Sequence, residues 1–598
     1  MESVGTAMSG TGQTLASVFS NRVRENPGAT AYMAFDAATG WTTVTWVAMA
    51  ELAARIQAAL AAEGLVSGDR IGIMARNGPL WVAFDVAAQG LGLITVPLFP
   101  EDRSDNIAWI CADAGIKLLL VPGKLQLRRL LAVQDGLPTV GRIVCIETEV
   151  GEGVDHRVRA LDGWLPRNGG EYLVREVDPD RPATISYTSG TTGRPKGVVL
   201  THRAIVANAL GAAACADFGP RDLFLSFLPL SHMLERTAGL YLPMLAGAQV
   251  AYARSINQLA DDLVTLQPTA LISVPRIYER VHGRLRDKLE AGSSLGRALF
   301  EWTVSVGWSR FEYHQGRAGW RPSMLAWPLL DRLVARKVRA RLGGRLRYAV
   351  CGGAALAPEI ARVFIGLGVP VYHGYGLTEA SPVVSANRPE CNLPASVGPP
   401  LPGVEVRIGE GGEVLVRGES VMLGYWNNES ATREAIDGEG FLHTGDLGRI
   451  DEAGYLHLVG RIKEIIVLSN GEKVPPVDIE AAIGFDPLFE QVMVVGEGRA
   501  SLAALVYPDQ EHLAALAQEV GLEAEDAGTT DRRLEKAMLT RIAARLAAFP
   551  GYAKVRRVFI TPEPWTVENG LLTPTMKIRR TRILDRFRDE VEMLYAHL

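Results

Sequence analysis

Cysteine is scarce in this chain: five among 598 residues, at positions 111, 145, 215, 351 and 391. The number is odd and no two form a CxxC pair. That excludes a disulfide framework and a zinc module, and it points to a reducing cytosol. Long hydrophobic runs are also missing. The longest uncharged stretch, 237–253, is 17 residues and contains Gly239, Pro243, Gly247 and Gln249. It reads as a buried helix followed by a strand rather than a membrane span. The opening MESVGTAMSGTGQT has no basic segment and no apolar one, so no secretory leader is expected. An excess of one charge is absent too. The net charge is −5, from 62 Lys and Arg against 67 Asp and Glu, so the chain as a whole is not expected to bind nucleic acid. The 62 glycines and 33 prolines follow no G-X-Y period, which excludes collagen. Apolar residues at 47% and charged residues at 22% are ordinary for a globular protein.

What is present is an alternation. Residues 46–64 carry apolar positions at helical spacing, and RIGIMA at 70–75 is a short apolar strand. A helical stretch at 79–91, LITVPLF at 93–99, a helix near 105–114 and KLLLVP at 117–122 follow. Strand, helix, strand, helix predicts parallel α/β structure. It resumes at ATISY (183–187) and LRYAV (346–350), and both strands run into Gly-rich turns. In open α/β sheets such turns hold the ligand. After the second come Gly352, Gly353 and Ala354, candidate nucleotide-binding positions. From Glu405 short alternating strands joined by Gly turns predict a β-rich subdomain at about 400–460. Beyond Arg461 the pattern is mixed: EIIVL, a helix at 476–484, VMVVGEG, ALVYP, a helix at 531–548 and RRVFI. A compact α+β unit is expected there, with a polar loop at 520–530.

One region stands apart in charge. Residues 284–347 hold fourteen Lys and Arg against five Asp and Glu, a net of +9 on a chain otherwise at −14. LLDRLVARKVRARLGG places basic residues on one helical face and Leu and Val on the other. Three readings stand: a solvated helix face, contact with an anionic membrane surface, and contact with ligand phosphates.

The strongest local signal is YTSGTTGRPKGVVLTH, 187–202. Gly190 and Gly193 let backbone N–H groups converge on an anion. Thr188, Ser189, Thr191 and Thr192 add hydroxyls, and Lys196 adds a point charge. This is phosphate-cradling chemistry without the Walker pattern, because Pro195 precedes Lys196 and Gly197 follows it.

The segment resembles the signature of the AMP-forming acyl-CoA synthetase superfamily, which includes luciferases and peptide-synthetase adenylation domains. Four more motifs carry the resemblance from about residue 14 to 598. YHGYGLTEASP (372–382) is similar to the adenine and magnesium motif, and HTGD (443–446) to the ribose motif. GRIKEIIVLSNGEKVPPVDIE (460–480) is similar to the hinge motif, and LLTPTMKIRR (571–580) to the C-terminal lysine motif. The resemblance implies a large N-terminal domain (1–460), a hinge (461–463) and a small mobile C-terminal domain (464–598), with the active site between. It implies two reactions: attack of a carboxylate on the α-phosphate of ATP, with loss of pyrophosphate, then displacement of AMP by a thiol. The expected cosubstrates are ATP and CoA, with Mg²⁺.

The residues make chemical sense of these roles. Glu379 beside phosphates needs a hard cation, so Glu379 and Thr188 are the candidate Mg²⁺ ligands. Thr378 can bond the α-phosphate; the alternative is that Thr378 and Glu379 cap a helix starting at 380. Tyr375 and Gly376 belong to the nucleotide motif, Asp446 can accept from ribose hydroxyls, and Arg461 can bond ribose or phosphate. By resemblance Lys577 bridges carboxylate and α-phosphate in the adenylating state only, Lys463 is the hinge, and His232 in PLSHMLER is the gate beside the acyl site. The alternative for His232 is a satisfied core histidine.

The acid is read as a long-chain fatty acid. The neighbourhood of His232 offers Glu235 but no Asp of the kind that selects an α-amino group, and no carrier domain is expected after Leu598. The segment 284–347, with SVPRIYERV before it and RLRYAVCGGAAL after it, resembles that of bacterial long-chain fatty acid–CoA ligases. Two alternatives stay open: a fatty acyl–AMP ligase that passes its product to a carrier protein, and a non-catalytic acyl- or nucleotide-binding protein. The expected location is cytoplasmic, with peripheral contact on the inner membrane face as the reading the basic segment adds.

Overall fold

The computed structural model describes residues 13–133, 137–147, 155–188, 194–522, 531–573 and 576–596. Among them, two eight-stranded sheets build the large N-terminal part. The first runs, in spatial order, Val383–Ala386, Val371–Gly376, Tyr348–Cys351, Ala270–Ser273, Leu223–Ser226, Gln249–Tyr252, Thr30–Asp36 and Gly40–Thr45. Its six inner strands are parallel, and both edges are antiparallel. The second runs Gly424–Tyr425, Lys196–Thr201, Pro182–Thr188, Ile94–Pro97, Arg70–Ile73, Ile116–Val121, Arg142–Cys145 and Val158–Ala160. It is parallel from Pro182–Thr188 onward.

One core joins both sheets, with residues of the helices Leu15–Glu25, Trp46–Ala62, Pro79–Gly90 and His202–Ala213 between them. Each helix start has a local cause. Thr45 and Thr201 accept from the N–H groups of Ala48 and Ala204, and Pro79 opens its helix where no N–H is needed. Pro79–Gly90 is buried nearly all round, as a helix between two sheets must be. It still carries Asp85, which pairs with the fully buried Arg236. Arg236 also donates to Thr184 Oγ1 and Thr95 Oγ1, both at 2.7 Å, and to Tyr241 Oη at 3.0 Å. With these partners the buried charges are compensated.

The stretch 237–253 is the expected helix and strand. A π-helical turn Glu235–Tyr241 leads into Leu242–Ala246 and then the strand Gln249–Tyr252. No helix among the described residues is long and apolar enough to cross a membrane. The β-rich stretch is a four-stranded antiparallel sheet of Val404–Ile408, Glu413–Gly418, Leu442–Ile450 and Leu456–Arg461. The C-terminal part has its own cores on either side of a three-stranded sheet, Phe489–Val495, Leu502–Pro508 and Val555–Ile560. The helix expected at 531–548 is Arg532–Arg545. The fold is therefore mixed α/β, with a large N-terminal domain of parallel sheets and a small α+β C-terminal domain.

Candidate functional site

The strands Pro182–Thr188, Tyr348–Cys351 and Val371–Gly376 end at one cavity of about 650 Å³. Ligand sites in open α/β sheets form at such strand ends. Thr188, Lys196, His232, Gly352, Gly353, Tyr375, Gly376, Thr378, Glu379, Arg461, Lys463 and Lys577 all line it. The N-terminal and C-terminal parts thus share one wall. The expected residues Ser189, Gly190, Thr191, Thr192 and Gly193 lie outside the described residues.

Ala354 follows the wall residues Gly352 and Gly353, and its carbonyl accepts from His373 Nε2 at 3.2 Å. Thr378 and Glu379 line the cavity, and the alternative reading, that they cap a helix starting at 380, is not what the structure has. They form a single 3₁₀ turn, Thr378–Ala380, which ends at Ser381 in the left-handed region. At Gly376 a Cβ would lie 2.1 Å from the carbonyl oxygen of Pro382, so no side chain fits there.

Glu379 meets a partner that no sequence motif announced. Its Oε1 accepts from Tyr425 Oη at 2.9 Å. The Tyr425 ring in turn takes the Lys196 ammonium, 4.7 Å from its centroid. Burial first, and then the Glu379 charge, hold the phenol protonated. Glu379 therefore keeps Oε2 for another ligand. No group of three or more His, Cys, Asp and Glu that could hold a metal ion occurs among the described residues. A single carboxylate in a cleft fits Mg²⁺ held jointly with phosphate oxygens, the usual arrangement for that ion.

Asp446 stands behind the wall, 5% exposed. Tyr375 Oη donates to its Oδ2 at 2.5 Å and Arg461 Nε to its Oδ1 at 2.8 Å. Each oxygen keeps one further lone pair for a hydroxyl. Burial disfavours the Arg461 charge, and Asp446 together with Glu464 and Tyr375 more than offsets it.

Lys577 reaches the cavity from the C-terminal domain. Its N–H donates to Thr573 Oγ1 at 3.0 Å, and its carbonyl accepts from the Thr573 N–H at 2.8 Å. This closed turn orients the side chain. Burial, then Arg461, lower its pKa, while Asp446, Glu464 and Glu379 work to keep it charged. His232 accepts the Leu234 N–H at Nδ1, 3.2 Å, which leaves Nε2 as the protonated nitrogen. Burial and then the Lys577 charge push it down to about 4, so it is neutral at pH 7.

The wall also has apolar members, among them Ala212, Ala216, Phe218, Ile272, Val350, and Leu234, Ala238 and Leu242, which stand four apart on one helical face, and further polar ones, such as Asp102, Asn387, Glu434 and Glu464. The cavity thus offers both cationic and hydrogen-bonding groups and apolar surface that suits a hydrocarbon.

Comparison with known proteins agrees with this geometry. The family described as AMP-binding enzyme matches residues 19–426, and its C-terminal domain matches 463–598. The chain is 33% identical over 570 residues to the long-chain-fatty-acid–CoA ligase FadD15 of Mycobacterium bovis, covering 93% of this chain and 92% of that one. It is 33% identical over 595 residues to the peroxisomal long chain acyl-CoA synthetase 7 of Arabidopsis thaliana, covering 93% and 82%. Among solved structures, the anthranilate CoA ligase AuaEII in complex with anthranoyl-AMP superposes with a TM-score of 0.74. It is 19% identical and covers 97% of this chain and 98% of that one.

Proposed function

The chain is a member of the AMP-binding enzyme family, and on that premise we propose that it joins a long-chain fatty acid to CoA through an acyl-adenylate. The names of its long-chain ligase relatives support the substrate class. The observation that carries the proposal is a single cavity lined both by Lys577, Lys196 and Glu379 and by a set of apolar side chains.

In the first step a carboxylate oxygen attacks the α-phosphorus of ATP. The bond to the pyrophosphate oxygen breaks, and the acyl-adenylate forms. Negative charge gathers on the phosphoryl oxygens, so fixed cations and donors supply most of the catalysis. Lys577 Nζ donates to the α-phosphate and the acyl carboxylate. Lys196 and Thr188 hold phosphate oxygens, and Arg461 and Asp446 hold the ribose. Glu379 and Thr188 would hold a magnesium ion brought in with the triphosphate, and the ion supplies neutralisation of phosphate charge. His232, neutral and beside Leu234, orients the acyl carboxylate without adding a charge at the start of the apolar wall.

In the second step the CoA sulfur attacks the acyl carbon, the bond to AMP breaks, and the thiol proton is lost. A buried Lys577 bars the approach of a thiol, so the C-terminal domain rotates about Lys463 between steps. The test is incubation with ATP and palmitate, with and without CoA, following AMP, acyl-AMP and acyl-CoA separately. Acyl-CoA and AMP in equal amounts are expected. Acyl-AMP that accumulates in the presence of CoA would instead mark a ligase serving a carrier protein, and neither acyl-AMP nor AMP in any arm would mark a binding protein.

A further inference from the structure

Helices that pack on a core by one face present a polar face to water. The run 322–341 departs from this rule. Its inner face behaves as expected: Met324, Leu330 and Ala335 are buried, and Ala335 packs with Val304 and Leu367 in a small core. Its outer face carries Leu325, Leu329 and Leu333, four apart, and the first two are 75% and 59% exposed. Trp320 just before the run is 54% exposed, and Trp302 on the helix Ser294–His314 is 47% exposed. Single exposed apolar side chains are normal, but a row of them with two tryptophans calls for a partner.

The exposed, unpaired charges along that row are of one sign. Arg321, Arg332, Arg336, Lys337 and Arg341 are exposed, and none makes an ion pair among the described residues. The basic residues with structural employment are others. Arg339 pairs with Asp331 and donates to the Leu367 carbonyl, and Arg317 pairs with Glu312. The free cations are therefore not spent on acidic neighbours of the same chain. None of these apolar or basic side chains lines the cavity, so the patch does not serve phosphates held there. The segment is nevertheless tied to the cavity. Gln315, at the end of Ser294–His314, donates to the carbonyl of Pro389, and Pro389 is part of the cavity wall.

We propose that the outer face of 320–341 docks on the surface of an anionic lipid bilayer. Leu325, Leu329, Leu333 and Trp320 enter the boundary between headgroups and acyl chains, and Arg332, Arg336, Lys337 and Arg341 meet the lipid phosphates. Leucine and tryptophan beside lysine and arginine form the composition that binds at such an interface. An acidic protein would satisfy the cations but leave the leucine row without a reason.

Vesicle co-sedimentation tests this without any substrate, so its outcome is separate from that of the ligase assay. The whole chain should bind phosphatidylcholine vesicles that contain phosphatidylglycerol, and binding should fall steeply with salt. Replacing Arg332, Arg336, Lys337 and Arg341 by Gln should weaken binding roughly a thousandfold at low salt. Leu325→Gln, Leu329→Gln and Leu333→Gln together should weaken it about tenfold or more at every salt concentration. An unchanged melting temperature in both variants guards against misfolding. The proposal is overturned if the wild type does not sediment, if it binds pure phosphatidylcholine equally well, or if either variant binds like wild type. A leucine variant that changes the oligomeric state of a protein that never bound vesicles would also overturn it, in favour of a second copy of the chain.

Discussion

His232 and Lys577, far apart in the chain and on different domains, line one cavity, and the lysine charge adds to burial in holding the imidazole neutral. The C-terminal domain is thus closed over the site in the arrangement that suits charge stabilisation at the α-phosphate. Lys577→Ala should cripple acyl-AMP formation, by about 10²–10⁴ in rate, the usual cost of removing one donor to developing charge. Thioester formation from supplied acyl-AMP should be spared. Measuring the two half-reactions separately decides it; equal damage to both would show that Lys577 serves more than the first step.

The buried histidines set an acid limit on stability. His232 and His202 are each pushed down to about 4, chiefly by burial, and the His202 Nδ1 accepts the N–H of Leu15. In the unfolded chain each titrates at about 6.5. Between those values the unfolded chain takes up protons that the folded protein refuses. Their stabilising effect is therefore complete above about pH 6.5 and is lost as pH falls toward 4, by up to about 3 kcal/mol for each. Urea unfolding at pH 7 and pH 5 should show the loss, and His232→Asn, which keeps an acceptor for Leu234, should shrink it. A His232 resonance titrating near 6.5 would contradict the neutral assignment.

How far this was legible beforehand depends on the kind of signal. Strands such as Pro182–Thr188 and Tyr348–Cys351 announce themselves by short apolar runs that end in glycine, and the helix Pro476–Gly484 stands where its periodicity placed it. The wall residues Lys196, Glu379, Arg461 and Lys577 were legible because each sits in a local string of recognisable order. Tyr425 was not, since its role comes from contact with Glu379 and Lys196 across the fold. The Asp85–Arg236 pair was hidden for the same reason. Leu234, Ala238 and Leu242 could have been core or cavity wall, because both demand the same residues.

Glu235 sets the opposite, alkaline limit. It is fully buried at the start of the π-helical turn, and Gly239 makes room for it: a Cβ there would lie 2.5 Å from its Oε1. Burial raises its pKa to about 8, with Ser226 pulling weakly the other way. Unfolded, it titrates at about 4.3. Here the folded protein binds the extra proton, so the contribution is full below about pH 4.5 and is lost as pH rises to about 8. Glu235→Gln replaces the neutral acid by a neutral amide of the same shape. It should raise stability by only about 1 kcal/mol at pH 5 and by about 4–5 kcal/mol at pH 8. Thermal denaturation at the two pH values checks the difference, and a variant no more stable at pH 8 would mean that Glu235 is ionised in the fold.

The hinge makes the last prediction. Lys463 sits in a 3₁₀ turn, Ile462–Glu464, between the β-strand Leu456–Arg461 and the C-terminal domain, and its side chain reaches the cavity wall. Backbone torsion at this point is what a rotating domain has to change. A proline in the first turn of a helix gives up no intrahelical hydrogen bond, and its φ near −65° suits a 3₁₀ turn. Lys463→Pro should therefore tolerate the closed arrangement and resist leaving it. Acyl-AMP formation should keep most of its rate, while transfer to CoA should fall by about tenfold or more. Lys463→Ala separates backbone from side chain: it should leave transfer close to wild type, because it restores free rotation and removes only the ammonium. If both variants lose transfer equally, the side chain matters and not the torsion. If neither does, the domain turns about another residue, and Arg461 and Glu464 on either side are the next to test.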